Sequence, residues 1–390
     1  MEVNDKLQSF LSTTALVIDD EIIDESSTIS GIINKLEQHG TLFVKKRELV
    51  RSIESISNLS FIILDWDLTK EEEKLDLPVG VSLGSTLIDD NKNDIRNFII
   101  NVISNYFIPI FIFTRENIDS IKAYLETRHV IKDAISKNRI FFSNKDSLKD
   151  EYVISTLNDW INDSMTVYTY RIMDESIEKA KHRFFNDMYT CDSNWPCHVY
   201  QTLKADDSVD INSDFQEFLM TAYTSTIEPI KFENKGFDKI ISLDDQEILK
   251  IYSKIKFLEY KEDWKVGPHP GDIYVIDNDQ KNVFYINISA SCDMRSGKYY
   301  FIKGRELEHT EEKICHYIVR KVMDRQAVCF DFRNVKILKV NKPDVISIGE
   351  KKDKTTYKRV GRLLSPYINA LQEKFSNYIT RTGVLREPEI

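Results

Sequence analysis

Apolar residues in the first 150 positions fall into two alternating textures. Ala15-Leu16-Val17-Ile18, Phe61-Ile62-Ile63-Leu64, Pro109-Ile110-Phe111-Ile112-Phe113 and Ile140-Phe141-Phe142 are unbroken apolar runs of strand length. A run without polar interruption is what a strand covered on both faces requires. Between these runs, Ile29 to Gln38 and Ile118 to Leu125 space their apolar residues three and four apart, as a helix with one buried stripe does. Ser27 to Thr41 fits the first helix, with Gly40 near its end, and Phe43-Val44 supplies a second strand. This β-α-β-α pattern predicts an α/β fold, a flavodoxin-like doubly wound parallel sheet over residues 1–150.

Glu71 to Asp94 breaks the pattern with an acidic run, Pro78, Gly80 and Gly84, and is expected to be a long loop before helical periodicity resumes at Ile95 to Ile103. After Lys145, one helix carries Tyr152, Leu157 and Trp160, and another, Ile172 to Tyr189, carries Ile177, Ala180, Phe184 and Met188. They predict a helical connector domain at 151–262. Near Lys265 the texture changes. Gly267-Pro268-His269-Pro270-Gly271 is a turn cluster, and Asp272 to Ile276 with Val283 to Ile288 reads as a hairpin around Asp277-Asn278-Asp279-Gln280. Gly297 turns into a strand at Tyr299 to Ile302, followed by a helix at Glu311 to Met323, a strand at Val335 to Val340, a lysine-rich stretch and a final helix at Tyr357 to Ile379. The expectation for 263–390 is a small β-rich module with a C-terminal helix.

Composition narrows the class. With 42% hydrophobic and 30% charged residues, the chain has enough apolar side chains for packed cores, so wholesale disorder is excluded. Its longest apolar run, Phe107 to Phe113, is too short to cross a bilayer, and Met1-Glu2-Val3-Asn4-Asp5 is no signal peptide, so a cytoplasmic protein without a membrane partner is expected. Cys191, Cys197, Cys292, Cys315 and Cys329 are odd in number and irregular in spacing, which points to free thiols. A net charge of −10 opposes non-specific adhesion to nucleic acid.

Candidate chemistry sits where the strands end. Asp19 and Asp20 follow the first apolar run, Asp65 the third, Thr114 the fourth, and Lys145 lies just beyond the fifth strand. In a doubly wound sheet those ends converge on the ligand-binding edge. Crowded carboxylates repel, and a hard divalent cation held by oxygen relieves that strain, so Mg²⁺ is the natural occupant. Asp65 is then an ionised nucleophile for a phosphoryl group, with the Thr114 hydroxyl and the Lys145 ammonium stabilising the phosphoryl oxygens. The plainer alternative makes Asp19-Asp20-Glu21 a helix N-cap and Asp65 a strand end.

Asp19-Asp20-Glu21, Asp65-Trp66-Asp67, Thr114 and Lys145, in that order, resemble the receiver domains of two-component response regulators. The resemblance implies a phosphoacceptor at Asp65, phosphorylated by a sensor histidine kinase. It also implies Mg²⁺ held by Asp65, Asp19 or Asp20 and the backbone carbonyl of Asp67, and a Thr114 that reorients upon phosphorylation. Phosphorylation at Asp65 is expected to shift an equilibrium that the helical connector reads, with a homodimer as one route of output. Two features depart from the family pattern: Asp146 follows Lys145 where proline is usual, and the Glu71 to Asp94 insertion lengthens the interval to Thr114. Further along, Phe184-Phe185-Asn186-Asp187-Met188-Tyr189, Asn194-Trp195-Pro196, Asn287 to Asp293 and Gly361 to Ile368 resemble large standalone receiver proteins of Detocs-type anti-phage two-component systems. That resemblance implies a phosphate sink that buffers a defence signal, with a defence effector receiver protein as a further partner.

Other constellations are weaker. His182 lacks the acidic neighbour of a kinase phospho-histidine, and Cys191, Cys197 and His198 with Cys315 and His316 lack zinc-site spacing. Ser289-Ala290-Ser291-Cys292-Asp293 could carry a nucleophile, but it has no Gly-x-Ser-x-Gly elbow and no assigned base. Asp331 to Arg362 holds ten Lys or Arg against four Asp or Glu, including Lys351, Lys352 and Lys354. A solvated loop explains it better than a receiver-controlled nucleic-acid surface, because the lysines mix with Pro343 and Gly349 rather than in the aromatic interleaving of a single-strand platform.

Overall fold

The computed structural model describes residues 10–68, 85–145, 150–205, 211–232, 235–238, 244–260, 267, 269–276, 283–290, 294, 298–307, 316–322, 325–339, 345–348 and 355–380. The chain divides into two compact units, Met1–Asn186 with Tyr223–Ile240, and Asp187–Ala222 with Ile241–Ile390.

In the first unit, β1 (Thr14–Ile18), β2 (Leu42–Lys46), β3 (Ile62–Asp65), β4 (Ile110–Thr114) and β5 (Ile140–Asn144) form a parallel sheet in the order β2-β1-β3-β4-β5. Its helices are α1 (Thr28–Glu37), α2 (Ser85–Asn105), α3 (Ile118–Leu125), α4 (His129–Ser136), α5 (Asp150–Asp163) and α6 (Met165–Cys191). Because strand side chains alternate, each apolar run feeds two cores. Ala15, Val17, Phe61, Ile63, Phe111 and Phe113 pack with α1, α5 and the start of α6. Leu16, Ile18, Ile62, Leu64, Ile110 and Ile112 face α2, α3 and α4. Two-sided burial is why these strands contain no polar interruption.

Local signals set the helix ends. Ser27 caps α1 by accepting a hydrogen bond from Ser30 N at 3.3 Å, and the helix buries Ile29, Ile32, Ile33 and Leu36 along one stripe. Trp160 of α5 stands edge-on to Phe111, 4.8 Å between centroids, and its indole N–H donates to Asn138 O at 3.0 Å. Part of the stretch expected as loop is helical, since α2 begins at Ser85. The polar turn Asp90 to Asp94 offers no apolar stripe to read, although Asn91 Nδ2 donates to Leu68 O at 3.1 Å. Residues 71–84 lie outside the described set.

The second unit holds an antiparallel sheet. Its strands are β6 (Phe257–Glu259), β7 (Asp272–Ile276), β8 (Val283–Asn287), β9 (Lys298–Glu306), β10 (Tyr317–Val322), β11 (Arg325–Lys339), β12 (Val345–Ile348) and β13 (Thr355–Leu363). Their order is β10-β11-β9-β8-β7-β13-β12, with β6 also paired to β13. Its helices are α7 (Trp195–Ala205), α8 (Ile211–Thr224), α9 (Asp245–Lys256) and α10 (Tyr367–Ile379). The hairpin of β7 and β8 pairs Ile273 with Ile286; its turn residues Asp277 to Gln280, and Gly297, lie outside the described residues. Gly271 has φ +88°, and a Cβ there would stand 2.2 Å from Leu363 O, so only glycine fits this entry into β7.

Three expectations for this unit are corrected. Tyr317 to Val322 is a strand rather than helix, because Ile318 and Val319, β-branched and next to each other, pair with β11. The final helix starts at Tyr367, and Thr355 to Leu363, rich in Thr, Tyr and Val, is the long strand β13. Cys329 is buried and disulfide-bonded, whereas Cys191 and Cys197 are exposed free thiols. Spacing along the chain does not report which thiols come within bonding distance.

Candidate functional site

Parallel pairing puts the carboxyl ends of β1, β3, β4 and β5 on one edge, and each delivers one polar side chain. Asp19, Asp65, Thr114 and Lys145 are all buried there, and Asp20 is half-buried. The backbone fixes them: Asp19 N donates to Lys46 O at 3.0 Å and Lys145 N to Thr114 O at 2.9 Å. Lys145 Nζ lies 2.7 Å from Asp65 Oδ2 and 2.8 Å from Asp19 Oδ2. The other oxygens are held by turn amides, with Asp65 Oδ1 accepting from Asp67 N at 3.2 Å and Asp19 Oδ1 from Glu21 N at 2.9 Å. Thr114 Oγ1 accepts from Glu116 N at 3.0 Å. A cleft of about 130 Å³ opens onto this group, lined by Asp20, Glu21, Asp65, Asp67, Thr114, Arg115, Glu116 and Lys145.

The plainer N-cap alternative does not hold, since α1 is capped by Ser27, eight residues beyond Asp19. Burial raises the Asp65 carboxyl to about 7; Lys145 pulls it down and the Asp19 charge pushes it up. Burial likewise raises Asp19 against the opposing pull of Lys145. Lys145 is lowered by burial but raised further by Asp65 and Asp19, so its net displacement is upward and it stays charged. One ammonium therefore serves more than one carboxylate, and negative charge is left in excess.

A cation fits that excess. Asp19, Asp20 and Asp65 each bring a carboxylate oxygen within 4.8 Å of the others. Asp19 Oδ2 and Asp65 Oδ2 share the single Lys145 ammonium, at 2.8 and 2.7 Å, so two buried carboxylate oxygens lean on one cation. This acidic triad can bind a metal ion.

Comparison with protein-family models and with curated proteins gives no match. The geometry therefore carries the functional reading.

Sequence inspection did not single out Arg115 and Glu116, whose adjacency to Thr114 was the available signal. Arg115 Nη1 pairs with Glu21 Oε1 at 2.6 Å across the cleft mouth and holds the Glu21 carboxyl below its usual range. Glu116 pairs with Lys92 at 3.2 Å. Asp67 lines the cleft, and burial, then Glu116 and Asp20, raise its carboxyl.

The remaining candidates go elsewhere. His182 is exposed on α6, 3.7 Å from Glu178. His316 stacks on Phe332 and lies 3.2 Å from Asp331, while His198 lies 3.6 Å from Asp192. Ser289 is buried, with Oγ accepting from Tyr300 N at 2.8 Å. Cys292, Asp293, Cys315, Lys351, Lys352 and Lys354 lie outside the described residues. The basic segment is corrected in part, because β12 and β13 replace much of the expected solvated loop. Arg359 and Arg362 turn inward onto the buried Asp272, at 3.0 and 2.8 Å, where they cannot meet a phosphate backbone. Among the described residues, no helix is long and apolar enough to cross a membrane.

Proposed function

We propose that the first unit is a flavodoxin-like receiver domain that accepts a phosphoryl group on Asp65. The observation that carries this reading is Lys145 Nζ bridging Asp65 and Asp19 at 2.7 and 2.8 Å at the carboxyl edge of the sheet. Asp20 completes the acidic cluster. An Asp65 oxygen attacks the phosphorus of a phosphohistidine on a sensor kinase. The new P–O bond gives an acyl phosphate, the P–N bond breaks, and its electron pair returns to the imidazole, which takes up a proton. Lys145 sits where it can stabilise charge on the phosphoryl oxygens, and the Thr114 hydroxyl stands ready to donate to one. Asp19, Asp20, Asp65 and the carbonyl of Asp67 would hold Mg²⁺, which supplies charge neutralisation among the carboxylates and Lewis acidity toward the phosphoryl oxygens.

On this reading the protein is a cytoplasmic phosphoacceptor and does not turn over substrate. Its resemblance to standalone receivers of anti-phage systems supports a role as phosphate sink, draining phosphoryl groups that a defence effector receiver would otherwise take. Incubation of the full chain with Mg²⁺ and acetyl phosphate should add one phosphoryl group by intact mass, and beryllium fluoride should bind in its place. Asp65→Asn should abolish both. Undiminished incorporation in that variant would remove Asp65 from the role.

A further inference from the structure

Helix α9 reads Asp245-Gln246-Glu247-Ile248-Leu249-Lys250-Ile251-Tyr252-Ser253-Lys254-Ile255-Lys256. Ile248, Ile251, Tyr252 and Ile255 fall three and four apart, the spacing of a stripe that a surface helix normally turns to its core. Here the stripe faces out. Those side chains are 38%, 49%, 49% and 57% exposed, and no residue of the helix is buried. The helix rests on β6 and β10, and its half-buried positions are Leu249, Ser253 and Lys256. At ~100° per residue, that supporting face lies roughly a third of a turn from the apolar stripe.

The helix does not depend on a partner to form. Asp244 caps it, its Oδ1 accepting from Glu247 N at 2.7 Å. Acidic Asp245 and Glu247 occupy its first turn and Lys254 and Lys256 its last, matching the helix dipole. Lys256 also reaches over the rings of Tyr252 and Tyr367, at 5.4 and 5.1 Å. A helix so anchored that shows four large apolar side chains to water lacks a cover.

We infer that the cover is α9 of a second copy of this chain, packed antiparallel about a twofold axis. The charge arrangement selects this occupant. Antiparallel packing sets Glu247 of one copy beside Lys254 of the other, both exposed on the same flank of the stripe. Parallel packing would set acid on acid and lysine on lysine. The same operation places Ile248 against the partner's Ile255 and Ile251 against the partner's Tyr252, so the stripe is self-complementary, as an isologous interface must be.

Sedimentation equilibrium of the full chain over a range of concentrations tests this. The wild type should dimerise reversibly. Ile251→Glu, at an exposed position that leaves the fold intact by circular dichroism, should weaken the dimer on the order of a hundredfold, because an unpaired charge would be buried at the interface. Glu247→Lys should weaken it by roughly threefold to tenfold, and adding Lys254→Glu should restore it. Beryllium fluoride binding should be unchanged in all three, which separates this surface from the acidic cleft. A wild type that stays monomeric at the highest concentration overturns the proposal. So does a dimer indifferent to Ile251→Glu, or one that the charge exchange fails to restore.

Discussion

The two units each bury a carboxylate against cations, and the balance differs. In the acidic cleft, the one Lys145 ammonium lies within 2.8 Å of both Asp19 and Asp65. In the second unit Asp272 is fully buried and over-supplied. Tyr260 Oη, His269 N, Arg359 Nη1 and Arg362 Nε donate to it at 2.9, 2.8, 3.0 and 2.8 Å. The Tyr260 ring lies 4.6 Å beneath the Arg359 guanidinium, and burial, then Arg362, lower His269. A carboxylate with every lone pair met ties strands and turn together, whereas carboxylates that outnumber their cation are ready for a ligand.

The contrast breaks most sharply under the same substitution. Asp272→Asn would leave two inward-facing guanidinium groups without their counter-charge and should cost about 3–5 kcal/mol, measured by denaturant unfolding. A loss below about 1 kcal/mol would mean the network is not structural. Next in size, Mg²⁺ at a hundredfold excess over its dissociation constant should stabilise the first unit by about 2.7 kcal/mol. Asp19→Asn should remove most of that gain, while Asp272→Asn should leave the first unit's response intact, with hydrogen exchange resolving the units.

The metal-free cleft should also respond to pH. Burial raises the Asp65 carboxyl from 3.8 in the unfolded chain to about 7 in the fold. Between those values the folded state holds a proton that the unfolded state has lost, so this site's contribution to stability falls as pH rises and levels off above about 7. Chemical denaturation from pH 5 to 8 in chelator should show that slope in the wild type and a flatter one in Asp65→Asn. A slope that is unchanged or inverted would show that burial, with the Asp19 charge beside it, is not what raises Asp65. The smallest effect is at the lower pH, where Asp65→Asn should raise metal-free stability by only about 1–2 kcal/mol, because the folded carboxyl is already protonated there and the substitution removes only the charge that the unfolded state carries.

Much of the first unit was legible because β1, β3 and β4 are buried on both faces, so the apolar runs at 15–18, 61–64 and 109–113 needed no partner to be recognised; the run at 140–142 lies on the half-buried edge strand β5. The site was legible for a related reason: a parallel sheet sends its strand ends to one edge, so Asp19, Asp65, Thr114 and Lys145 meet once the strands are read. The second unit resisted. Tyr317 to Val322 and Thr355 to Leu363 carry apolar residues that suit either period, and only pairing with β11 and β7 makes them strands. Asp272, Arg359 and Arg362 lie some ninety residues apart, with no local pattern to link them.

Local chemistry alone determined where the strands of the parallel sheet run, where Ser27 starts a helix, and which reactive side chains stand at strand ends, because these depend on near neighbours and on one repeating period. Tertiary structure alone decided that one lysine bridges two carboxylates, that two arginines of a basic segment turn inward, and that α9 presents its apolar stripe to solvent. Each of those outcomes depends on the distance between groups far apart in the chain, which no local spacing encodes.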